Sequence, residues 1–324
     1  MGYNRDNYKR IRYDYEGKNL KAKEEAVKRT NELYDILPEL KDIDDHIKDI
    51  GLKLFAEGLK GREGFEERVA EIRKGHLEAL EARADLLEYS NYPAGYTDVK
   101  YECAECSDTG FIGIDMCSCM KRALVMAGYE SSGVGNLIRT QSFETFNLDY
   151  YNDISEWRRE MEENLQEFKN YAKNFKIETH VNLLLMGATG LGKTHISTSI
   201  AKVVIENGFD VVYDTAQNIF GDFEFERFNR TYQDDSEDRT EKYFECDLLI
   251  IDDLGTEVNN QFTVSTLYNI INTRVNNNKS IIINTNLTRD ELRKKYADRI
   301  ASRLFGEFLP KMFYGKDVRE LKLK

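Results

Sequence analysis

The chain has 324 residues, of which 32% are charged and 41% hydrophobic, with a net charge of −12 and five cysteines. That length accommodates two or three domains with a substantial core, and the acidic balance excludes a generically basic nucleic-acid coat. No apolar run approaches the ~20 residues of a membrane helix and the polar start MGYNRDNYKRIRYDYEGK lacks a signal-peptide core, so a cytoplasmic location without a membrane partner is expected.

Residues 18–90 are rich in Glu, Lys, Leu and Ala, and Leu40, Ile43, Ile47, Ile50 and Leu54 recur at alternating steps of three and four. This is a helical seam of coiled-coil type. A loop with Gly58, Gly61 and Gly64 interrupts it, and Val69, Ile72, Leu80 and Leu87 mark a second helical stretch that ends at Pro93-Ala94-Gly95. The pattern predicts a helical hairpin with little core of its own, suited to packing on a partner or on another copy.

Next come Cys103-Ala104-Glu105-Cys106 and Cys117-Ser118-Cys119, a CxxC and a CxC separated by ten residues. Two such turns bring four thiolates around one point, as tetrahedral Zn²⁺ requires, and four Cys leave no open position for catalysis. Cys103, Cys106, Cys117 and Cys119 are therefore the expected zinc ligands, and Cys246 a small core residue.

Residues 123–175 read as a connector, with aromatics around Phe143, Phe146, Tyr150 and Tyr151 and a helix from about Ile154 to Phe175. The aromatics either dock the connector onto the following domain or stack on bases.

From residue 183 a short apolar strand feeds Gly187-Ala188-Thr189-Gly190-Leu191-Gly192-Lys193-Thr194, the phosphate-binding pattern GxxxxGKT. The glycines let successive N–H groups point at phosphates, at the positive end of the helix that begins near Lys193. Lys193 would reach the β- and γ-phosphates of ATP, and the Thr194 hydroxyl would complete a Mg²⁺ shell. Some 60 residues on, Asp247-Leu248-Leu249-Ile250-Ile251-Asp252-Asp253 is an apolar strand ending in carboxylates. Asp252 would hold Mg²⁺, directly or through water, and Asp253 would orient or deprotonate the attacking water.

The strand Ser280–Asn286 ends in amides, of which Asn286 is the choice to polarise the water, with Asn284 expected to cap the next helix. Arg299 and Arg303 share a helix face, and Lys316 and Arg319 follow in the tail, a basic cluster suited to a γ-phosphate. The charge is uneven: residues 222–257 carry thirteen Asp/Glu against four Lys/Arg, and 293–324 carry ten Lys/Arg against four Asp/Glu. Such asymmetry suits head-to-tail self-association or a local anion site, and equally a solvated face.

Together GATGLGKT, LLIIDDLGTE, an IIxxTNLT strand, DRIASRLFGEF and GKDVR resemble the AAA+ ATPases of the DnaC/DnaI helicase-loader group, with the transposition helper IstB as a close relative. The resemblance spans about residues 180–320, and the preceding cysteine element is similar to zinc-bearing loaders of Gram-positive bacteria and their phages. It implies an α/β AAA+ P-loop core, a parallel sheet flanked by helices, behind a helical hairpin and a small four-cysteine zinc module. The implied domains are a helical adaptor at 1–100, the zinc module at 101–122, the connector at 123–175 and the ATPase at 176–324.

By the same resemblance Lys193 and Thr194 are Walker A residues, Asp252 and Asp253 Walker B, and Asn286 sensor 1. Arg303, with Arg299 beside it, resembles an arginine finger reaching a neighbour's ATP, and Arg319 the sensor 2 arginine. Most AAA+ proteins have Glu where this chain has Asp253, and its shorter reach implies slow hydrolysis, stimulated by assembly, partner or DNA. The implied activity is ATP-dependent delivery of a hexameric replicative helicase, bound through residues 1–122, onto single-stranded DNA, with self-association through the ATPase domain. Phe220, Phe223, Phe225, Arg227, Phe228 and Arg230 fall where this group carries an element facing DNA, and they either stack on bases or pack its underside. The alternatives are an IstB-like transposition helper and an ATP-binding adaptor with little turnover.

Overall fold

The computed structural model describes residues 3–58, 65–229 and 239–321. Arg230, Gly61 and Gly64 lie outside the described residues. The chain divides into two compact units, Arg12–Cys117 and Met1–Ile11 with Ser118–Lys324.

The first unit is built on α1 (Arg5–Ile36), α2 (Pro38–Gly58) and α3 (Phe65–Tyr89), followed by the antiparallel pair β1 (Phe111–Ile112) and β2 (Asp115–Met116). The helix α1 begins well before the expected helical region, and buries Tyr15, Ala22, Ala26 and Leu33. Before residue 18 its buried residue is the single Tyr15, too little apolar periodicity to reveal the helix start. The expected hairpin is α2 and α3, with Leu40 and Ile50 buried on one arm and Leu87 on the other.

On α3 the inward face runs through Ala79, whereas Leu80 is 40% exposed. One residue along a helix turns the side chain by about 100°, so Ala79 and Leu87 define the buried stripe and Leu80 leaves it. Leu54 is likewise exposed, near the hairpin tip. The small core of Leu33, Leu40 and Leu87 is reinforced by Arg83, which donates to Asp44 at 2.6 Å and to Thr97 at 2.7 Å. Tyr34 donates to the other Asp44 oxygen at 2.8 Å, and burial with this carboxylate pushes its pKa up to about 12.

The second unit contains α4 (Ser118–Ser131), a 3-10 turn (Leu148–Tyr151), α5 (Ser155–Lys173), β3 (Asn182–Met186), α6 (Lys193–Glu206), β4 (Val211–Thr215) and α7 (Ala216–Asn229). It continues with α8 (Glu241–Glu245), β5 (Leu248–Leu254), α9 (Gln261–Asn276), β6 (Ser280–Thr285), α10 (Arg289–Gly306), β7 (Phe308–Met312) and α11 (Val318–Leu321).

The strands form one parallel sheet in the order β4-β5-β6-β3-β7. Both faces are covered, so the central strands read as continuous apolar runs. Leu183, Leu185, Ile250 and Ile282 pack with α5, α6 and the connector. Leu184, Met186, Leu249, Ile251 and Ile283 pack with residues of α7, α9 and α10 on the other face.

The connector aromatics Phe143, Phe146 and Tyr151 are buried in the first of these clusters, so they dock the segment and are not available to bases. Cys246 is buried against Arg274, a fully buried cation that donates to the carbonyls of Tyr243, Cys246 and Ser280. Among the described residues no helix is long and apolar enough to cross a membrane.

Candidate nucleotide site and cysteine cluster

The tips of β3, β5 and β6 meet at the loop between β3 and α6. Gly187, Gly190 and Gly192 all take positive φ, at 151°, 78° and 86°. A Cβ on Gly190 would lie 1.9 Å from Asp317 Oδ1, and one on Gly187 2.5 Å from the Phe313 carbonyl oxygen, so the loop is glycine-dependent by conformation and by space. The segment after β7 wraps this loop, with Val318 N–H donating to Gly190 O at 3.0 Å. On the other side the Tyr151 hydroxyl donates to Leu191 O at 2.7 Å.

Lys193 Nζ donates to Gly187 O at 2.7 Å, Ala188 O at 2.8 Å and Asn286 Oδ1 at 2.6 Å. These three acceptors are neutral. Burial lowers the Lys193 pKa to about 8, against the opposing pull of Asp252 and Asp253. A desolvated ammonium under a glycine-lined loop fits a polyanion that restores its preference for charge.

Asp252 ends the buried run of β5, and its carboxylate collects donors from three other elements. Thr194 donates to Oδ2 at 3.0 Å, Tyr213 on β4 donates to the same oxygen, and Asn284 on β6 donates to Oδ1 at 2.8 Å. Thr194 and Asp252 are thus side by side, the oxygen pair that a Mg²⁺ ion with a nucleotide uses. The placement of Asn284 corrects the expectation that it caps the next helix. It is fully buried within β6, and Thr288 caps α10 through a reciprocal bond with Glu291. The Asn284 amide nitrogen is engaged by Ser197 and Asp252, each at 2.8 Å, and not by the start of α10.

The neighbouring Asp253 has φ 52°, and the β5–β6 register shifts between Ile251 and Leu254. This bulge turns Asp253 out of the ladder, to the cavity it lines together with Asn286, Lys193 and Arg319. Burial, then the charge of Asp252, raises the Asp253 pKa. The cavity, of about 150 Å³, is also lined by Thr189, Thr194, Gln141, His195 and Val318. Sequence reasoning misses Gln141, His195, Val318 and Tyr213. Of these, His195 follows GATGLGKT and Val318 lies within GKDVR, while Gln141 and Tyr213 carry no local pattern.

Arg299 and Arg303 do not line this cavity. Arg299 is exposed, and Arg303 donates to Asn272 at 2.6 Å. Lys316 does not line the cavity either and pairs with Asp153 at 3.2 Å. The helix α10 that carries both arginines is tied to the end of β5 by Glu257. That buried carboxylate accepts from Gly255 N–H at 2.7 Å and from the Tyr296 hydroxyl, and pairs with Lys295 at 3.2 Å.

On α7 the aromatics divide. Phe220 is buried and Phe223 packs partly against the core, whereas Phe228 is 68% and Phe225 43% exposed. Arg227 lies over the Phe262 ring.

The ligand sulfurs of Cys103, Cys106, Cys117 and Cys119 all lie within 4.8 Å of one another, with Cys103 and Cys117 at 3.9 Å. A zinc–thiolate tetrahedron with bonds of about 2.3 Å has edges of roughly 3.8 Å, so this donor set fits a metal ion. Cys119 is carried there by the chain itself, two residues beyond Cys117. Asp108, 3% exposed, accepts from the N–H groups of Glu102 and Cys103 at 2.9 and 2.7 Å and so shapes the first cysteine turn.

Residues 147–305 match the sequence model of the family described as IstB-like ATP binding protein. The chain is 33% identical over 124 residues to the chromosomal replication initiator protein DnaA of Aliarcobacter butzleri, covering 37% of this chain and 26% of that protein. It therefore spans about a quarter of the length of that curated relative. Among solved structures it is similar to the DnaC helicase loader, at 21% identity and TM-score 0.44, covering 53% of this chain and 98% of the other. Similarity to DnaI is 16% identity and TM-score 0.44, covering 56% and 92%. The chain thus carries a phosphate loop on a parallel five-stranded sheet flanked by helices, within a segment that is similar to the IstB-like ATP binding family.

Proposed function

We propose that this chain is an ATP-dependent loader, which binds a hexameric replicative helicase through residues 1–122 and delivers it onto single-stranded DNA. The observation that carries the reading is the convergence of Lys193, Thr194, Asp252, Asp253, Asn286 and Arg319 at one end of the sheet, in a chain that also builds a separate helical unit ending in a cysteine cluster. The relative named as a chromosomal replication initiator supports a role in replication. The proposed organisation is a helical adaptor at 1–100, a zinc module at 101–122, a connector at 123–175 and the ATPase at 176–324.

In this reading the loop from Gly187 to Gly192 and Lys193 hold the ATP phosphates, and Thr194 and Asp252 hold Mg²⁺, which when bound offsets phosphate charge. Asp253 and Asn286 orient the attacking water, and Arg319 faces the phosphates from α11. Because Asp253 is one methylene shorter than Glu and leaves the ladder on a bulge, turnover is slow until assembly, partner or DNA adjusts it. Arg299 and Arg303, outside their own chain's cavity, serve a neighbouring copy's nucleotide, and self-association then follows ATP. Zinc on Cys103, Cys106, Cys117 and Cys119 is structural.

The test is reconstitution with a cognate helicase on circular single-stranded DNA, scored by helicase bound to DNA with Mg²⁺ and ATP. Loading by the native chain and its loss in Arg303→Ala, with ATP affinity retained, is expected. No complex with the helicase under any nucleotide condition contradicts the reading. The family match favours one alternative, a transposition helper of the IstB type, which would instead bind duplex DNA and a transposase. Duplex binding that outcompetes single strands would select it. A turnover rate that responds to neither helicase nor DNA would select the third reading, an ATP-binding adaptor.

A further inference from the structure

The carboxylate of Asp252 is held by more than the phosphate loop. On Oδ1 it accepts from Asn284 Nδ2 at 2.8 Å and from the Asp253 N–H at 3.0 Å. On Oδ2 it accepts from Thr194 at 3.0 Å and from the Tyr213 hydroxyl. Three of these donors lie in the motifs of the site. The fourth, Tyr213, stands on β4, the edge strand of the sheet, where no nucleotide motif reaches.

Tyr213 is 7% exposed, and its buried hydroxyl is turned to Asp252 Oδ2 as a donor. Its ring is in the cluster that joins the connector to the sheet. Its main chain is fixed as well. The Tyr213 N–H, on the free edge of β4, donates to Ser132 O at 2.8 Å, just past the end of α4. Gly133 follows with φ 83°, so close that a Cβ there would lie 2.4 Å from the Tyr213 carbonyl oxygen. Only glycine permits that approach. The segment after α4 therefore clamps the backbone of a residue whose side chain sets the orientation of Asp252.

A carboxylate that shares a cation with a neighbouring hydroxyl works best when its rotation is fixed before the cation arrives, as outer partners do for metal ligands generally. We propose that Tyr213 is a positioning residue for Mg²⁺ at the nucleotide site: it holds Asp252 Oδ2 beside Thr194, and the Ser132-Gly133 clamp holds Tyr213. The inference rests on the reading of this cavity as a Mg²⁺–ATP site.

The experiment compares affinity for a fluorescent ATP analogue in Mg²⁺ and in EDTA, using the full chain and Tyr213→Phe, Gly133→Ala and the double variant. Tyr213→Phe keeps the packed ring and removes one hydroxyl. It should leave the EDTA affinity unchanged and reduce the gain from Mg²⁺ on the order of tenfold, the worth of one hydrogen bond to a charged group. Gly133→Ala should show the same selective loss, and the double variant should be no worse than the worse single one, because both act through one contact. A full Mg²⁺ gain in Tyr213→Phe overturns the role of the phenol, and a full gain in Gly133→Ala overturns the clamp. If the native chain gains nothing from Mg²⁺, the reading of the site falls with the proposal. Thermal melts of each variant separate these outcomes from misfolding, which would lower affinity in both buffers.

Discussion

The two compact units are held together by different physics. In the sheet unit, central strands such as β3 and β6 are buried along their whole length, and polar groups at their tips bond to one another across elements. Among the described residues of the unit 12–117, Leu33, Leu40 and Leu87 form a small buried cluster with Tyr34, Leu37, Leu86, Tyr92 and Tyr96 packed on it, and Leu52, Phe55 and Leu77 are exposed on the helices. A core that small needs reinforcement, here an Arg83–Asp44 pair and, where the unit ends, Cys103, Cys106 and Cys117 of the cysteine cluster. The contrast teaches that the sheet unit can stand on hydrophobic burial, whereas the helical unit leans on polar contacts that a single change can remove.

The largest test of that contrast is metal removal. Structural zinc contributes about 10–16 kcal/mol of coupled folding free energy in small domains. Chelation, or Cys106→Ser, should therefore strip hydrogen-exchange protection from the segment between Cys103 and Cys119 and leave β3, β5 and β6 protected. Equal loss in both units would break the comparison, and no loss anywhere would remove the metal from it.

A smaller effect is expected from Arg83→Ala. The guanidinium and the Asp44 carboxylate are 16% and 13% exposed, and removing the cation leaves a largely desolvated Asp44 with the Tyr34 hydroxyl still donating to it. A destabilisation of about 3 kcal/mol, confined to the unfolding of the helical unit, should be seen in denaturant titration. A surface-like cost under about 0.5 kcal/mol would show that this pair is not a strut.

The smallest is a pH effect on the sheet unit alone. Lys193 has its pKa lowered to about 8, so it is charged below that pH and loses its proton above it. Phosphate binding favours the charged form and so takes up a proton once the pH exceeds 8. ATP affinity should be level near pH 7 and fall above about pH 8, by at most tenfold per unit. An affinity that is flat to about pH 9.5 would contradict a desolvated Lys193.

Much of the sheet unit is legible in the sequence because its chemistry is local. The loop Gly187–Thr194 and the run Leu248–Asp253 each state their own geometry, since glycine spacing and a carboxylate after an apolar strand are sequence-adjacent features. Cys103, Cys106, Cys117 and Cys119 are legible for the same reason. What escapes depends on contacts far apart in the chain. Asn284 reads as a helix cap because its partner Asp252 is distant in sequence, and Tyr213 goes unnoticed because only sheet order brings β4 beside β5. The start of α1 escapes because Tyr15 alone marks its buried face before residue 18, and Ala79 rather than Leu80 faces inward because side-chain size does not report rotation about a helix.

The central claim is that the tips of β3, β5 and β6 form an ATP site organised by Lys193, and equilibrium titration of ATP with Mg²⁺ into the native chain and Lys193→Ala tests it most directly. The account predicts one ATP per chain, with affinity reduced at least about a hundredfold in the variant while the sheet unit's melting and the metal content are unchanged. Equal affinity in both proteins, or no saturable binding by the native chain, would contradict it.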